Sequence, residues 1–184
     1  MKSLLVLLFA IPSFSFAAVQ KLAPSGGEVN IVAKGHPNFL RVLGKGSPAT
    51  GELSVDGEKV SGRLEFDLTS LETGIDTRDR HMKERYLEVE KFPKAVLAIQ
   101  KVGNMSTWNI KNPAIKEDSF EGLLTLHGVT KPVTGKFTMN TERSVEANFT
   151  VKLSDFAVGV PSFGGITIAD DVDISVKIEN LNTF

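Results

Sequence analysis

Residues 120–139 read FEGLLTLHGVTKPVTGKFTM, and apolar residues recur there at every second position on both sides of a polar turn. The alternating set comprises Phe120, Gly122, Leu124 and Leu126 before the turn and Val133, Gly135, Phe137 and Met139 after it. Successive side chains of a strand point to opposite faces, so the pattern predicts two antiparallel strands with one covered face. The stretch therefore indicates a sheet whose apolar side faces a core.

The same two-residue period extends over most of the chain, at residues 53–68, 97–99, 145–153 and 172–178. Val55 and Val60 can pair across a tight turn at Gly57-Glu58, which keeps the apolar residues of both strands on one face. With residues 29–33 and 40–43 added, the chain holds about eight strands. Such strands close into a barrel or stack as two sheets, because open edges and half-covered faces are unfavourable.

One helix is expected to interrupt the strands. Asp76 or Thr77 can cap its start, and Pro93 is expected to end it at Phe92. Its apolar stripe, at helical spacing, comprises Met82, Tyr86 and Val89. Residues 154–171 form a loop nearly as apolar as a strand, and such a loop is expected to cover an apolar region.

The N-terminal residues have the features of an export signal. Lys2 gives a positive start, residues 4–11 form an apolar run, and Ser15 and Ala17 place small residues before a cleavage point. The run is too short to span a bilayer. We therefore predict a signal peptide at residues 1–17 and a single soluble domain at residues 18–184.

Composition excludes several classes of function. With 21 Lys+Arg against 22 Asp+Glu and a net charge of −1, the chain lacks the cationic excess of a general nucleic-acid binder. The absence of cysteine excludes disulfides, thiolate metal sites and cysteine nucleophiles. One Trp and one Tyr cannot supply the aromatic girdles of an outer-membrane barrel.

No catalytic constellation is evident in the sequence. His36, His81 and His127 fall on three separate segments, so a metal site or a His-dependent enzyme would require them to converge in space. Hydrogen-bonded structural histidines are the favoured interpretation. We therefore expect no catalytic residue, no metal and no enzymatic activity.

The densest polar cluster is residues 78–81, Arg-Asp-Arg-His, at the start of the helix. It can hold the polar or anionic head of a ligand at a barrel mouth, or it can fix the helix to the barrel through ion pairs. The second interpretation is favoured because Asp79 partly neutralises the arginines beside it.

Five segments resemble motifs of the YceI-like family. Residues 70–82, SLETGIDTRDRHM, resemble its S-I-x-T-G-x-x-x-R-D-x-H-L segment, and residues 90–93, EKFP, resemble the step that follows. Residues 122–133, GLLTLHGVTKPV, match its central hairpin almost residue for residue, and residues 154–159 and 171–178 resemble its last elements. The sequence departs from the family pattern at Leu153-Ser154, where the family has an Arg before Asp-Phe, and at Ala157, where it has Gly.

The resemblance implies an all-β fold, an eight-stranded antiparallel lipocalin-like barrel with one short helix between strands. It further implies an apolar interior that holds a long isoprenoid-type lipid, such as a polyprenyl or quinone tail, and export to the periplasm. It implies no catalytic activity and no cofactor other than the lipid.

We accordingly predict an apolar tunnel with Arg78 and His81 as head-group candidates. Small inward residues, Gly62, Gly122, Gly135 and Ala147, are expected to leave room inside the barrel. The predicted tunnel residues are Leu64, Phe66, Leu97, Ile99, Leu124, Leu126, Phe137, Met139, Phe149, Val151, Ile174 and Val176, with Phe156 and Phe163 at the mouth. The expected partner is a hydrophobic lipid, with no nucleic acid and no membrane span. A homodimer, and a solid-core barrel that binds proteins through its loops, stay open as alternatives.

Overall fold

The computed structural model describes residues 19–36, 40–106, 108, 110–163 and 166–184. The strands of this part of the chain are β1 (Gln20–His36), β2 (Arg41–Gly46), β3 (Thr50–Asp56), β4 (Lys59–Asp67), β5 (Lys94–Val102), β6 (Ile115–Leu126), β7 (Val129–Met139), β8 (Val145–Lys152), β9 (Ser162–Phe163) and β10 (Ile166–Thr183). The predicted signal peptide lies outside the described residues.

Eight of the described strands close into an antiparallel barrel. The ring runs β1-β3-β4-β5-β6-β7-β8-β10 and returns to β1, with β1 and β10 paired from Leu22–Thr183 to His36–Thr167. The short strands β2 and β9 attach to β1 and β10 outside this ring. The predicted eight-stranded barrel is confirmed, and its closure removes the exposed edges that a flat sheet would have.

The inward residues of the strands form one core. β6 and β8 alternate buried and exposed positions, as the two-residue period predicts. Val55 pairs with Val60, and Asp56 with Lys59, so the predicted tight turn at Gly57-Glu58 is confirmed. In the described residues the buried hydrophobic side chains form a single cluster.

The expectation that inward glycines leave free volume is wrong at Gly135. A Cβ atom at this position would lie 2.5 Å from Cε1 of Phe120, whose ring occupies the space that the missing side chain leaves. At Gly122 a Cβ atom would lie 3.0 Å from Cδ1 of Leu97 and 2.7 Å from the backbone oxygen of Ala98. These glycines allow close packing of their neighbours instead of enlarging the interior.

The helix is shorter than predicted. Helix α1 spans Asp76–His81 and continues as a π-type turn over Met82–Tyr86, before the predicted end at Phe92. Ile75 takes the N-cap position without a side-chain hydrogen bond, so the prediction of a cap at residue 76 or 77 is wrong. The predicted apolar stripe is confirmed, since Met82, Tyr86 and Val89 all pack against the core. No helix in the described ranges has the length and hydrophobicity needed to cross a bilayer.

The strand pairing is interrupted beside β2. This strand pairs with β1 over residues 41–46, but its other edge makes a single backbone bridge, from Lys45 to Glu72, where the two N–H groups donate to the opposite carbonyls at 2.8 and 2.7 Å. β4 instead pairs with β3 and β5. The segment between β4 and β5, which includes the helix, therefore borders the open edge of β2.

Candidate ligand-binding site

A cavity of about 550 Å³ lies between β2, the helix and the inward faces of the barrel strands. We call it the upper chamber. Its walls are mainly apolar, with Ile31 and Ala33 from β1, Leu124 from β6, and Ile174 from β10 among its lining residues. Met82, Tyr86 and Leu87 close it from the side of the helix.

A second cavity of about 100 Å³ lies farther along the barrel and is lined by hydrophobic residues. We call it the lower chamber. Met105 and Trp108, from the segment between β5 and β6, contribute to its lining. This chamber is too small for a lipid tail by itself.

Two aromatic side chains, Phe66 and Phe149, line both chambers and therefore mark the boundary between them. The ring of Phe149 packs edge-on against Phe120, with 5.9 Å between the ring centroids. Both rings are nearly fully buried. The boundary is therefore a packed aromatic layer, held in place by the core.

All twelve predicted tunnel residues line at least one of these chambers. The upper chamber is lined by Leu124, Leu126, Val151 and Ile174, the lower chamber by Leu64, Leu97, Ile99, Phe137, Met139 and Val176, and both by Phe66 and Phe149. The two-residue period predicts which of these residues point inward, but it does not predict that the interior is divided into two chambers.

Of the two residues predicted at the mouth, Phe156 is not found lining either chamber. It is 2% exposed and lies in the core, in a 3-10 turn at residues 153–156. The side chain of Phe163 lies outside the described residues. The apolar segment at residues 154–171 does contribute to the upper chamber through Val158, Pro161 and Ile168.

In the polar cluster at residues 78–81, Arg78 and Asp79 are both hydrogen-bonded to Thr73. Arg78 donates from Nε to Oγ1 of Thr73 at 2.7 Å and from Nη2 to the Thr73 carbonyl at 2.8 Å. Asp79 accepts hydrogen bonds from the backbone N–H and the hydroxyl of the same Thr73. Burial tends to raise the pKa of Asp79, but these hydrogen bonds hold it below its ordinary value. Arg78 and His81 nevertheless also line the upper chamber, so the cluster both fixes the helix start and borders the cavity.

Two further arginines, which were not predicted from the sequence, line the upper chamber. Arg41, at the start of β2, and Arg85, in the π-type turn, both line the upper chamber. Arg85 follows His81 by four residues, and this spacing places both on one side of a helix. The sequence therefore contains the information that Arg85 lies near His81. Arg41 had no such signal, because its place depends on how β2 pairs with β1.

Of the two histidine side chains that the structure describes, His81 lines the upper chamber and His127 does not. His127 lies at the β6–β7 turn, where its Nε2 is 2.9 Å from a Glu88 carboxylate oxygen and its Nδ1 is 3.3 Å from the Phe156 carbonyl. The hydrogen bond from Lys91 lowers the pKa of Glu88, and the hydrogen bond with His127 lowers it further. The side chain of His36 lies outside the described residues. No group of three His, Asp or Glu residues suited to holding a metal ion occurs among the described residues.

Residues 21–180 match the sequence profile of the YceI-like domain. A UPF0312 protein of Pseudomonas putida strain F1 is 32% identical over 155 residues, which cover 77% of this chain and 76% of that protein. A UPF0312 protein of Pseudomonas syringae pv. syringae is 33% identical over the same shares of the two chains.

Two solved structures share the fold at low sequence identity. BcnA of Burkholderia cenocepacia superposes with a TM-score of 0.64 at 17% identity, covering 82% of this chain and 94% of its own. A domain from Saccharophagus degradans, described as a polyisoprenoid binding domain implicated in plant cell wall breakdown, has a TM-score of 0.64 at 15% identity, covering 86% of this chain and 95% of its own.

Proposed function

The chain belongs to the YceI-like domain family, and from that premise we propose that it carries or sequesters a long isoprenoid-type lipid, such as a polyprenyl or quinone tail. The tail occupies the upper chamber, and residues 1–17 direct the protein to the periplasm. The role is binding and not catalysis.

The observation that carries this proposal is the upper chamber itself. Its volume of about 550 Å³ falls within the range of about 300–1,000 Å³ that is usual for small-molecule sites. Its apolar walls suit a hydrocarbon chain, for which each buried methylene contributes about 0.8 kcal/mol. Four isoprene units, about 20 carbons, therefore supply more than about 10 kcal/mol before the entropy of binding is subtracted.

The alternative of a protein-interaction module rests on a solid barrel core. A solid core would have no internal volume at the position of the upper chamber, so the chamber favours the lipid carrier. The name of the Saccharophagus degradans domain gives the proposal further support, since that domain shares the fold.

Native mass spectrometry of the purified protein, followed by organic extraction, tests the proposal. We expect a discrete added mass that extracts as an isoprenoid, or, from a protein purified without lipid, binding of added geranylgeraniol. A protein that carries no lipid and takes up no added prenol or quinone would contradict the proposal and favour the interaction module.

A matched pair of variants on β6 ties the binding to the upper chamber. Leu124→Glu places a carboxylate in the chamber, where an unpaired charge is strongly disfavoured, and should abolish lipid retention. Leu123→Glu places the same group at the neighbouring position, which is not part of the core, and should retain lipid. If Leu124→Glu fails to fold, Ile174→Trp offers an apolar replacement that fills the same chamber. Normal lipid content in a folded chamber variant would refute the assignment.

A further inference from the structure

The helical segment that forms one wall of the upper chamber is held to the barrel at few points. It comprises residues 76–88, of which Met82, Tyr86 and Leu87 line the chamber and pack on the core. Within the described ranges, residues 76–87 form no hydrogen bond or ion pair with a barrel strand. The segment is therefore kept over the chamber by apolar packing and by the contacts at its two ends.

The start of the helical segment is fixed by several hydrogen bonds. The Lys45–Glu72 bridge joins the chain just before it to β2. Thr73 then accepts hydrogen bonds from Arg78 and donates to Asp79, which ties the first turn of α1 to that bridge. The π-type turn that follows has a weaker hydrogen-bond pattern than an α-helix, and such turns are frequent at functional sites. Movement is therefore expected in the second half of the segment.

The end of the helical segment is joined to the barrel through the side chain of His127, in the β6–β7 turn. Its Nε2 donates to one carboxylate oxygen of Glu88 at 2.9 Å, since a carboxylate only accepts. The imidazole is 12% exposed and packs edge-on against Phe92, with 4.7 Å between the ring centroids. Among the described residues this contact is the one polar link between Glu88 and the β6–β7 turn.

Three left-handed backbone conformations meet at this contact. Of the four described non-glycine residues with positive φ, three are Glu88 at +45°, His127 at +50° and Ala157 at +55°. Ala157 follows Phe156, whose carbonyl oxygen lies 3.3 Å from Nδ1 of His127. Such conformations are disfavoured for residues with a Cβ atom, persist only where the surroundings hold them, and cluster at clamps and switches. The imidazole therefore holds a strained junction of three segments.

We propose that the second half of the helical segment is a lid over the upper chamber, and that His127 is the positioning residue that keeps it closed. This inference rests on the proposed function and concerns how the lipid enters and leaves. When the contact between His127 and Glu88 breaks, the strained backbone at both residues relaxes, and this favours separation of the π-type turn from the barrel. Met82, Tyr86 and Leu87 then move aside, and the tail passes through the wall that they formed.

Two substitutions of His127 form a matched pair. In His127→Asn the side-chain amide reaches the position of Nδ1 and loses the link to Glu88, and Asn tolerates a left-handed backbone. In His127→Gln the amide reaches the position of Nε2 and keeps that link. Thr130→Val is a further control, because it removes the hydrogen bond between the Thr125 and Thr130 hydroxyls of the same hairpin without touching the helical segment.

Stopped-flow fluorescence with geranylgeraniol that carries an anthraniloyl label measures uptake, and an excess of the unlabelled prenol measures release. In His127→Asn both rates should rise by about tenfold, the effect of losing one hydrogen bond to a charged group. The dissociation constant should stay within about twofold of the unaltered protein, because an opening step that serves both directions changes the barrier and not the affinity. His127→Gln and Thr130→Val should keep the original rates.

Hydrogen–deuterium exchange tests the opening without any ligand. In His127→Asn the amides of residues 82–88 should exchange about tenfold faster, while those of β4 and β5 keep their original rates, because the opening is local. If His127→Asn does not fold, Glu88→Asn breaks the same contact from the other side and should give the same result.

The outcomes separate the lid from the lipid carrier. Unchanged rates in folded His127→Asn, or equal acceleration in His127→Asn and His127→Gln, would overturn the lid and leave the carrier standing. Faster release with a dissociation constant weakened by the same factor would show that His127 shapes the bound chamber, and would also overturn it. If the unaltered protein binds no labelled prenol, the carrier fails and the lid's role in lipid exchange fails with it, even where hydrogen exchange shows the local opening.

Discussion

The two ends of the barrel are built from the same alternating strands, yet one encloses about 550 Å³ and the other about 100 Å³. At the lower chamber β3 to β8 are paired in sequence, and Phe120 fills the space above Gly135. At the upper chamber β2 lacks a partner strand on one edge, and a short helical segment borders the opening. The larger free volume thus lies where sheet gives way to helix, whereas neighbouring groups occupy the space beside Gly122 and Gly135.

The largest effect should follow from removing the boundary between the chambers. Phe149→Ala removes a buried aromatic ring and should lower the free energy of unfolding by about 3–5 kcal/mol, as measured by urea denaturation. The joined cavity should also admit longer tails, so the variant should gain affinity for long prenols relative to geranylgeraniol. Phe184→Ala, at a ring that is 70% exposed, is the control and should change neither quantity. An unchanged tail preference in folded Phe149→Ala would show that Phe149 does not limit tail length.

A matched pair of leucines compares the packing of the chambers directly. Leu97 in the lower chamber is 3% exposed and Leu124 in the upper chamber is 4% exposed. Leu97→Ala should cost about 4 kcal/mol of stability, and Leu124→Ala about 2, because Leu124 already borders open volume and has fewer contacts to lose. Denaturant titration of the lipid-free proteins measures both values. Equal costs would mean that the upper chamber is as tightly packed as the lower.

The smallest effect concerns the Glu88–His127 contact, which joins the end of the helical segment to the β6–β7 turn. A hydrogen bond with Lys91 and a weaker effect of the one with His127 lower the pKa of Glu88 in the folded protein. The Glu88 carboxylate therefore contributes its full stabilisation above its unfolded pKa of 4.5, and this stabilisation is lost as the pH falls through its folded pKa. Glu88→Gln should therefore reduce the fall in Tm on acidification below about pH 4.5. Glu84→Gln, at an exposed position of the same segment, is the control. A steeper acid dependence in Glu88→Gln would reverse the expected sign.

The barrel could be predicted because its determinants are local and repeated. Alternation at residues 120–139 and 145–153 assigns inward and outward faces without any knowledge of distant contacts. The Val55–Val60 register follows from a turn of two residues. The family motifs then place the helix between the correct strands.

The errors all involve contacts between residues far apart in the sequence, or competition between neighbours. Ile75 takes the N-cap position, and the segment before the helix is joined to α1 by a hydrogen bond from the Thr73 N–H to Asp79. Phe120 occupies the volume expected beside Gly135, and Arg41 reaches the mouth only through the pairing of β2 with β1. None of these outcomes follows from the period of the sequence.

The closure of the barrel by β1 and β10 has a consequence for the order of the chain. Leu22 pairs with Thr183, and the Phe184 N–H donates to the Lys21 carbonyl at 3.4 Å, so residues near 20 and 184 are neighbours in space. The strand pairs of the folded ring therefore do not depend on where the chain is opened. A circular permutant that joins these residues and is cut between Gly57 and Glu58 should keep every strand pair, and it loses only the covalent link between β3 and β4. Assembly in the natural order is nevertheless tied to the last strand, because the ring cannot close until β10 has been synthesised.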